Sequence, residues 1–415
     1  SGKNIPYAGA GFKIFDPDGN QVTMTFTYPT PTTIDTFYTD ANGQLVTPEK
    51  LEYGKGYSLV EVQAPYGYVL DSTPVYFDVA EEHSSDEGGI TVIKVDKPNM
   101  AQKGTITVEK SGEVFSSVAG DKGLYQPIFS VSGLEGAVYE ITAAEDIVTL
   151  DGTVRAKKGE VVDTVTTGKD GTAKSKELYL GKYEVKEITA PYGMVLNEEV
   201  HSVELVYAGQ NVDVTETATS FYNERQRVEI DLIKSLAIDE AYGIGKNGEI
   251  FDVTFGLYAA EELTAADGKT IPADGLIAEV SLNENMTAVI AEKIPFGKYY
   301  VQEIATDEHY VLNGEKYLVD FEYMGQEVTT VNIDCGQFEN ELKRGKIEGI
   351  KVNESDEPLE NALFGLFQTD CTEFVESNAI MTAISDETGY FAFDEVPYGE
   401  AYDLIYPEIT IPRSA

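Results

Sequence analysis

Apolar and polar residues alternate along most of the chain, in short runs that turn residues separate. In residues 181–193 (GKYEVKEITAPYG), Tyr183, Val185 and Glu187 share one face, because successive side chains of a strand point to opposite sides. We expect that face to be buried. The runs are rich in Val, Ile, Thr and Tyr, turns come at short intervals, and helical periodicity is almost absent. The pattern therefore predicts antiparallel β-sandwiches with little helix.

This stretch recurs along the chain with a Glu at the same place. Residues 56–68 (GYSLVEVQAPYGY) carry Glu61, and residues 297–306 (GKYYVQEIAT) carry Glu303 without the following Pro. A carboxylate where the pattern demands an apolar residue costs several kcal/mol if it stays ionised and alone. We therefore expect these acids to be protonated or partnered. A strand end open to solvent is the simpler alternative, and it weakens when three copies share the position.

Other segments recur at a period of about 110 to 125 residues, which is typical of tandem domains rather than a solenoid. A strand that carries a Lys occurs at residues 105–110, 228–234 and 347–352. A small-then-aromatic strand occurs at residues 10–15, 137–141, 253–258 and 362–367. Polar turns, whose Asn-Gly and Asp-Gly pairs predict hairpins, occur at residues 39–43, 167–171 and 385–389. A last strand that ends in an amide or acid occurs at residues 93–96, 220–223 and 337–340.

The last strand of one copy runs into the Lys strand of the next with almost no linker. We therefore expect four domains strung end to end, at residues 1–100, 101–226, 227–344 and 345–415. The first is expected to lack its first strand, and the fourth its last strands. In the fourth copy the Glu is also missing, since residues 401–407 read AYDLIYP.

Composition narrows the classes of function. With 72 acidic and 30 basic residues, the formal net charge of −42 repels nucleic acid and anionic lipid. No stretch is long and apolar enough for membrane insertion. Cys335 and Cys371 fall in different expected domains, so disulfides are not expected. Neither cofactor nor metal is expected, because residues 16–20 (DPDGN) lack the later ligands of a calcium loop and the histidines are scattered, at His83, His201 and His309.

A Lys, a Glu and an Asn per copy can carry chemistry. If the first and last strands are neighbours in a sheet, Lys110 and Asn223 face each other in the core, with Glu187 on an adjacent strand. Burial lowers the pKa of a lysine and raises the pKa of a glutamate, so a neutral amine beside a neutral acid can exist. The amine then attacks the Asn side-chain carbonyl, and Glu passes protons to the leaving ammonia. An edge Lys that reaches water and a turn Asn are the simpler alternatives.

These three motifs together resemble the collagen-adhesin B-type (Cna B) domains of Gram-positive surface proteins and pilins, which are immunoglobulin-like, prealbumin-like β-sandwiches. The resemblance implies one intramolecular isopeptide bond per complete domain, formed once and without a cofactor. It implies a Lys110–Asn223 bond with Glu187 as the catalytic acid, and a Lys234–Asn340 bond with Glu303.

The end domains match the family only in part. In the first, the resemblance implies Glu61 as catalytic acid and Asp96 as cross-linking residue, with no Lys strand before them. In the fourth, only Lys351 matches. We therefore expect Asp96 and Lys351 to have no bonding partner within these residues.

Two classes of function stay open. The first is a structural stalk, adhesin or pilin-like segment, extracellular and attached to the cell wall through regions outside these residues, with a sortase joining it to other subunits. The second is a binding module that recognises a host protein or glycan through inserted loops at residues 114–132 or 25–36. A multi-turnover enzyme is not expected, because no cleft-forming constellation is visible.

Overall fold

The computed structural model describes residues 3, 5–80, 93–120, 123–398 and 402–405. Within these residues the regular structure is β-strand, apart from two single-turn 3-10 segments at Glu249–Asp252 and Glu376–Asn378. None of the helical segments in this part of the chain is long and apolar enough to cross a membrane. The all-β class that the alternation predicts is confirmed.

The first repeat contains one four-stranded sheet and two strand pairs. The sheet has the order β4-β1-β5-β7, β2 pairs with β3, and β6 pairs with β8. Its strands are β1 (Gly11–Phe15), β2 (Met24–Phe26), β3 (Thr32–Ile34), β4 (Phe37–Tyr38), β5 (Gly54–Gln63), β6 (Tyr68–Val69), β7 (Val75–Val79) and β8 (Met100–Ala101).

The second repeat is a two-sheet sandwich. One sheet is built around β9, which pairs with β10, β15, β16 and β19, and the other has the order β14-β11-β17-β18. Its strands are β9 (Lys103–Ala119), β10 (Gln126–Gly133), β11 (Val138–Ala143), β12 (Ile147–Val148), β13 (Val154–Ala156), β14 (Val161–Thr166), β15 (Thr172–Lys174), β16 (Leu178–Tyr179), β17 (Gly181–Thr189), β18 (Val200–Leu205) and β19 (Val214–Asn223).

The third and fourth repeats have the same two layers. The third contains sheets β25-β20-β28 and β24-β21-β26-β27, and the fourth contains β29-β32 and β31-β30-β33. The strands of the third are β20 (Arg227–Leu236), β21 (Thr254–Ala259), β22 (Leu263–Thr264), β23 (Thr270–Ile271), β24 (Leu276–Ser281), β25 (Thr287–Ile290), β26 (Gly297–Ala305), β27 (Tyr317–Phe321) and β28 (Thr330–Asn340). The strands of the fourth are β29 (Arg344–Ile350), β30 (Leu363–Gln368), β31 (Met381–Ile384), β32 (Tyr390–Pro397) and β33 (Tyr402–Ile405).

The first and last strands of the second and third repeats are hydrogen-bonded neighbours. β9 and β19 run parallel to each other, as do β20 and β28. In each of these repeats the pair lies in one sheet of the sandwich, and the Glu-bearing strand, β17 or β26, lies in the other sheet. The core between the sheets is aromatic and aliphatic, with Tyr139, Val185 and Phe221 in the second repeat.

The Asp170-Gly171 turn departs from the expected hairpin. It leads from β14 to β15, which lie in different sheets. Gly171 has φ +79°, and a Cβ there would collide with the carbonyl oxygen of Lys110. Gly389 has φ +78° and stands in the same relation to Lys351. Glycine is required here because it combines a left-handed backbone with close approach to the Lys strand.

The chain divides into two compact units, Ser1–Glu113 with Val131–Arg225 and Val114–Ser130 with Gln226–Ala415. Within the second unit, Phe115, Val118 and Tyr125 pack against the core of the third repeat. The backbone N–H of Tyr125 donates to the carbonyl of Leu276 at 2.8 Å. Three apolar side chains of the segment at residues 114–132 are therefore covered by packing, whereas Leu124, Ile128 and Val131 are exposed.

A buried glutamine holds a turn in each unit. In the second unit, the Gln226 amide donates to the carbonyls of Gly325 and Val328 at 3.0 and 2.6 Å and accepts from the N–H of Met324 at 2.9 Å. In the first unit, Gln102 makes the same three bonds, to Gly209, Val212 and Ala208. These segments, expected as linkers, are thus tied to the repeats that follow them.

Candidate functional site

The Glu-bearing strands place their acids on the inner face of the sandwich. In β17, Tyr183, Val185 and Glu187 are 2%, 0% and 0% exposed, so the predicted buried face is confirmed. The pairing register between β17 and β11 shifts by one residue beside Glu187. The register between β5 and β1 shifts in the same way beside Glu61, and that between β26 and β21 beside Glu303. A β-bulge re-aims side chains, and here it stands next to the acid in three repeats.

In the second repeat, β9 and β19 bring Lys110 and Asn223 together as diagonal neighbours. Lys110 pairs with Phe221 and Asn223 with Gly112 in the parallel register. The Nζ atom of Lys110 contacts Oδ1 of Asn223. The two side chains are 2% and 1% exposed. A Cβ at Gly112 would lie 2.9 Å from the carbonyl oxygen of Asn223, so glycine lets the strands approach.

Glu187 reaches this pair from the opposing sheet, rather than from an adjacent strand of the same sheet. Its Oε1 lies 3.2 Å from Lys110 Nζ. The Asn223 amide donates to Oε1 and Oε2 at 3.2 and 2.9 Å. The backbone N–H of Asn197 donates to Oε2 at 2.8 Å, and the Tyr139 hydroxyl donates to Oε1 at 3.4 Å. Glu187 therefore contacts both the amine and the amide nitrogen.

The third repeat assembles Lys234, Asn340 and Glu303 in the same way. Lys234 Nζ donates to Asn340 Oδ1 at 2.8 Å and lies 3.5 Å from Glu303 Oε2. The Asn340 amide donates to Glu303 Oε1 at 2.6 Å and to Thr306 Oγ1 at 3.0 Å. The backbone N–H of Asn313 donates to Glu303 Oε1 at 3.2 Å, as Asn197 does in the second repeat.

Burial changes the acid–base behaviour of both lysines. Desolvation lowers the pKa of Lys110 and of Lys234 below the ordinary lysine value, and the attraction of Glu187 and Glu303 opposes this lowering in part. A lowered pKa enlarges the fraction of neutral amine. Only the neutral amine is a nucleophile, so burial increases the proportion of the reactive form at both sites.

In the first repeat, the partner of Glu61 is Asn99. The Asn99 amide donates to both Glu61 oxygens at 2.9 and 2.8 Å, and the backbone N–H of Asp71 donates to Oε2 at 3.0 Å. Asn99 lies three positions after Asp96 and holds the place expected for Asp96. Lys97 Nζ forms an ion pair with Asp71 Oδ2 at 2.7 Å. Burial raises the pKa of Glu61.

In the fourth repeat, Lys351 has the backbone setting of Lys110. The N–H of Lys351 donates to the carbonyl of Gly389, and the N–H of Lys110 donates to that of Gly171, both at 2.7 Å. Lys351 is half-buried. The segment in which Glu is expected to be missing is described only at Tyr402–Ile405.

The described residues contain no group of three or more His, Cys, Asp and Glu side chains that could hold a metal ion. His83 lies outside the described residues. Cys335 and Cys371 are free thiols. The clustered sites of the second and third repeats bring together an amine, a carboxamide and a carboxyl group in a buried core.

Several contacts of these sites were not predicted from sequence. Asn99 follows Glu61 by 38 positions and Asp96 follows it by 35 (96 − 61), and both lie close to the 36 and 37 of the other two pairs, so spacing does not choose between them. The contacts of Tyr139 and Thr306 depend on which side chains meet across the sandwich. No local signal marks them.

Comparison with known proteins bears on the fold. The family model described as SpaA, prealbumin-like fold domain, matches residues 1–94, 130–219, 243–334 and 345–412. The solved Bacillus anthracis TIE protein is 18% identical, with a TM-score of 0.49, and the match covers 97% of this chain and 66%, less than two thirds, of that one. BcpA, the major pilin subunit of Bacillus cereus, is 19% identical, with a TM-score of 0.26 and coverage of 81% and 95%. GBS52, the minor pilin of Streptococcus agalactiae, is 18% identical, with a TM-score of 0.20 and coverage of 60% and 99%. No curated protein matches the chain.

Proposed function

Because the chain belongs to the SpaA prealbumin-like fold family, we propose that it is a structural segment of a bacterial surface protein, stiffened by isopeptide bonds that form within its own repeats. The bonds join Lys110 to Asn223 and Lys234 to Asn340. The observation that carries this proposal is the buried contact of Lys110 Nζ with the Asn223 carboxamide, with Glu187 touching both.

The reaction is an amide exchange. Glu187 Oε1 takes a proton from Lys110, and the neutral amine attacks Cγ of Asn223. A new C–N bond forms to Nζ, and the bond from Cγ to Nδ2 breaks after Nδ2 receives a proton from Glu187. Ammonia leaves, and the second amine proton passes to the carboxylate. Each site turns over once, and the fold supplies the proximity that drives the step.

The first repeat holds two of the three groups, Glu61 and Asn99. We propose that Asn99, rather than Asp96, is its acceptor, so that its leaving group would be ammonia instead of water. We also propose domain boundaries near residues 100, 226 and 344, and the starts of the Lys strands β9, β20 and β29 support this division. We place the protein outside the cell and attached to the cell wall, with other surface or pilin subunits joined to it by a sortase.

A second function, recognition of a host protein or glycan, rests on the loop at residues 25–36. This segment forms the β2–β3 hairpin, and its tip carries Tyr28, which is 89% exposed. Loss of host-ligand binding on replacing the hairpin tip, with the fold retained, would favour this function.

Intact-protein mass spectrometry tests the structural proposal. We expect the folded chain to be lighter than its translated sequence by two molecules of ammonia. A protease digest should contain one branched peptide that joins Lys110 to Asn223 and another that joins Lys234 to Asn340. The full translated mass in folded protein would refute the proposal.

A further inference from the structure

The second and third repeats bind the reacting carboxamide differently. In the second, the Asn223 amide donates to both oxygens of Glu187. In the third, the Asn340 amide donates to one oxygen of Glu303 and to Thr306 Oγ1, at 2.6 and 3.0 Å. Thr306 stands three residues after its Glu, where the second repeat has Ala190.

Because Thr306 Oγ1 accepts one N–H of the Asn340 amide, only one oxygen of Glu303 accepts a hydrogen bond from that amide. Among the described residues, Glu303 Oε2 is buried and accepts no hydrogen bond. It lies 3.5 Å from Lys234 Nζ. The amine itself is held by three carbonyl oxygens, Asn340 Oδ1 at 2.8 Å and the backbone oxygens of Ser235 and Phe338 at 3.0 and 3.3 Å. A buried oxygen that accepts no hydrogen bond is costly even beside a cation, and such an atom calls for an explanation.

We propose that Thr306 is a positioning residue for bond formation in the third repeat, an inference that rests on the proposed function. By accepting one amide N–H, Thr306 Oγ1 fixes the carboxamide so that Oδ1 and Cγ of Asn340 face Lys234. Because the amide does not donate to Glu303 Oε2, this oxygen can receive a proton from Lys234. The neutral amine attacks Cγ, the same carboxyl group protonates Nδ2, and ammonia leaves as the bond from Cγ to Nδ2 breaks. The second amine proton passes to the carboxylate, and the new bond joins Nζ to Cγ.

In the second repeat, different groups hold the carboxyl oxygens of the catalytic acid in position. The Tyr139 hydroxyl donates to Glu187 Oε1 and the Asn197 N–H donates to Oε2, so both oxygens are held without a threonine. The residue opposite Glu303 is Phe255, which has no hydroxyl. In each of these two repeats, a hydroxyl group therefore forms a hydrogen bond at the site. It bonds to the acid in the second repeat and to the amide in the third.

Two substitutions of Thr306 separate its hydroxyl from its shape. Thr306→Val keeps the branched side chain and removes the acceptor, whereas Thr306→Ser keeps the acceptor and removes the methyl group. The full chain is made by cell-free translation, quenched at intervals and digested, and the two branched peptides are quantified. The rate at which the bond of the second repeat forms is the internal reference in every sample. Ala190→Thr, which places a threonine at the equivalent position of the second repeat, is the matched control.

We expect Thr306→Val to slow the bond of the third repeat about tenfold, the effect of losing one buried hydrogen bond, and Thr306→Ser to react at the native rate. The rate of bond formation in the second repeat should be unchanged in both variants, and Ala190→Thr should not increase that rate. A native rate for Thr306→Val, or a rate lowered by Thr306→Ser but not by Val, would overturn the positioning role alone. Absence of both branched peptides from the native chain would instead overturn the proposed function.

Discussion

Replacing Glu187 by Gln should leave the second repeat folded but without its cross-link. Gln has the size of Glu and can still contact Asn223, but it cannot take a proton from Lys110 or deliver one to Nδ2. The variant should therefore have lost one molecule of ammonia relative to its own translated sequence, whereas the native chain should have lost two. The bond between Lys234 and Asn340 should form normally, since it depends on Glu303.

The loss of stability follows from the length of chain that the bond closes. Lys110 and Asn223 are 113 positions apart. By the loop-closure relation used for disulfides, a link of that length stabilises by about 5 kcal/mol, less any strain in the native bond. For a repeat of this size that corresponds to a fall in Tm of roughly 15 °C.

Calorimetry of the full chain, with mass spectrometry on the same sample, measures both quantities. Glu184→Gln is the matched control, because Glu184 is an exposed acid on the same strand. It should still lose two molecules of ammonia relative to its own translated sequence, and its Tm should be unchanged. Glu303→Gln should likewise prevent the loss of one ammonia, in this case from the third repeat. A Glu187→Gln chain that has lost two molecules of ammonia would refute the role of the acid, and a missing bond with an unchanged Tm would refute the loop-closure magnitude.

Three further outcomes are expected. Because burial lowers the pKa of Lys110, its bond should form faster as pH rises and the rate should level off below the pH at which an exposed lysine is half-neutral, which timed quenching and digestion can follow. Gln226→Ala removes three buried hydrogen bonds and should speed hydrogen exchange in residues 323–328 about a hundredfold, measured by mass spectrometry. Gly171→Ala should lower the thermal stability of uncross-linked chain by about 3 kcal/mol, more than Gly159→Ala, which has φ +82° but no atom within 4 Å of a Cβ.

The fold could be predicted from sequence because its signals are local. Period-two alternation and a repeated Glu predict which face of β17 is buried, and the structure confirms it. The partner of Glu61 depends instead on the path of an irregular segment. Asn99 follows a proline, so strand alternation does not decide between it and Asp96. The packing of residues 114–130 on the third repeat is equally non-local, because hydrophobic residues such as Phe115 do not specify their partner.

The position of the proposed bonds matters as much as their strength. β9 and β19 run parallel, and Lys110 and Asn223 lie near the point where the chain leaves the repeat. With the bond formed, a pull between Lys103 and Asn223 travels along the first strand as far as Lys110 and then across the link. The residues between Lys110 and Asn223 carry no load, so their hydrogen bonds need not resist it. A non-covalent sandwich would have to resist the same pull by shearing β9 from β19. In a chain whose cysteines are free, the proposed amide would supply this protection.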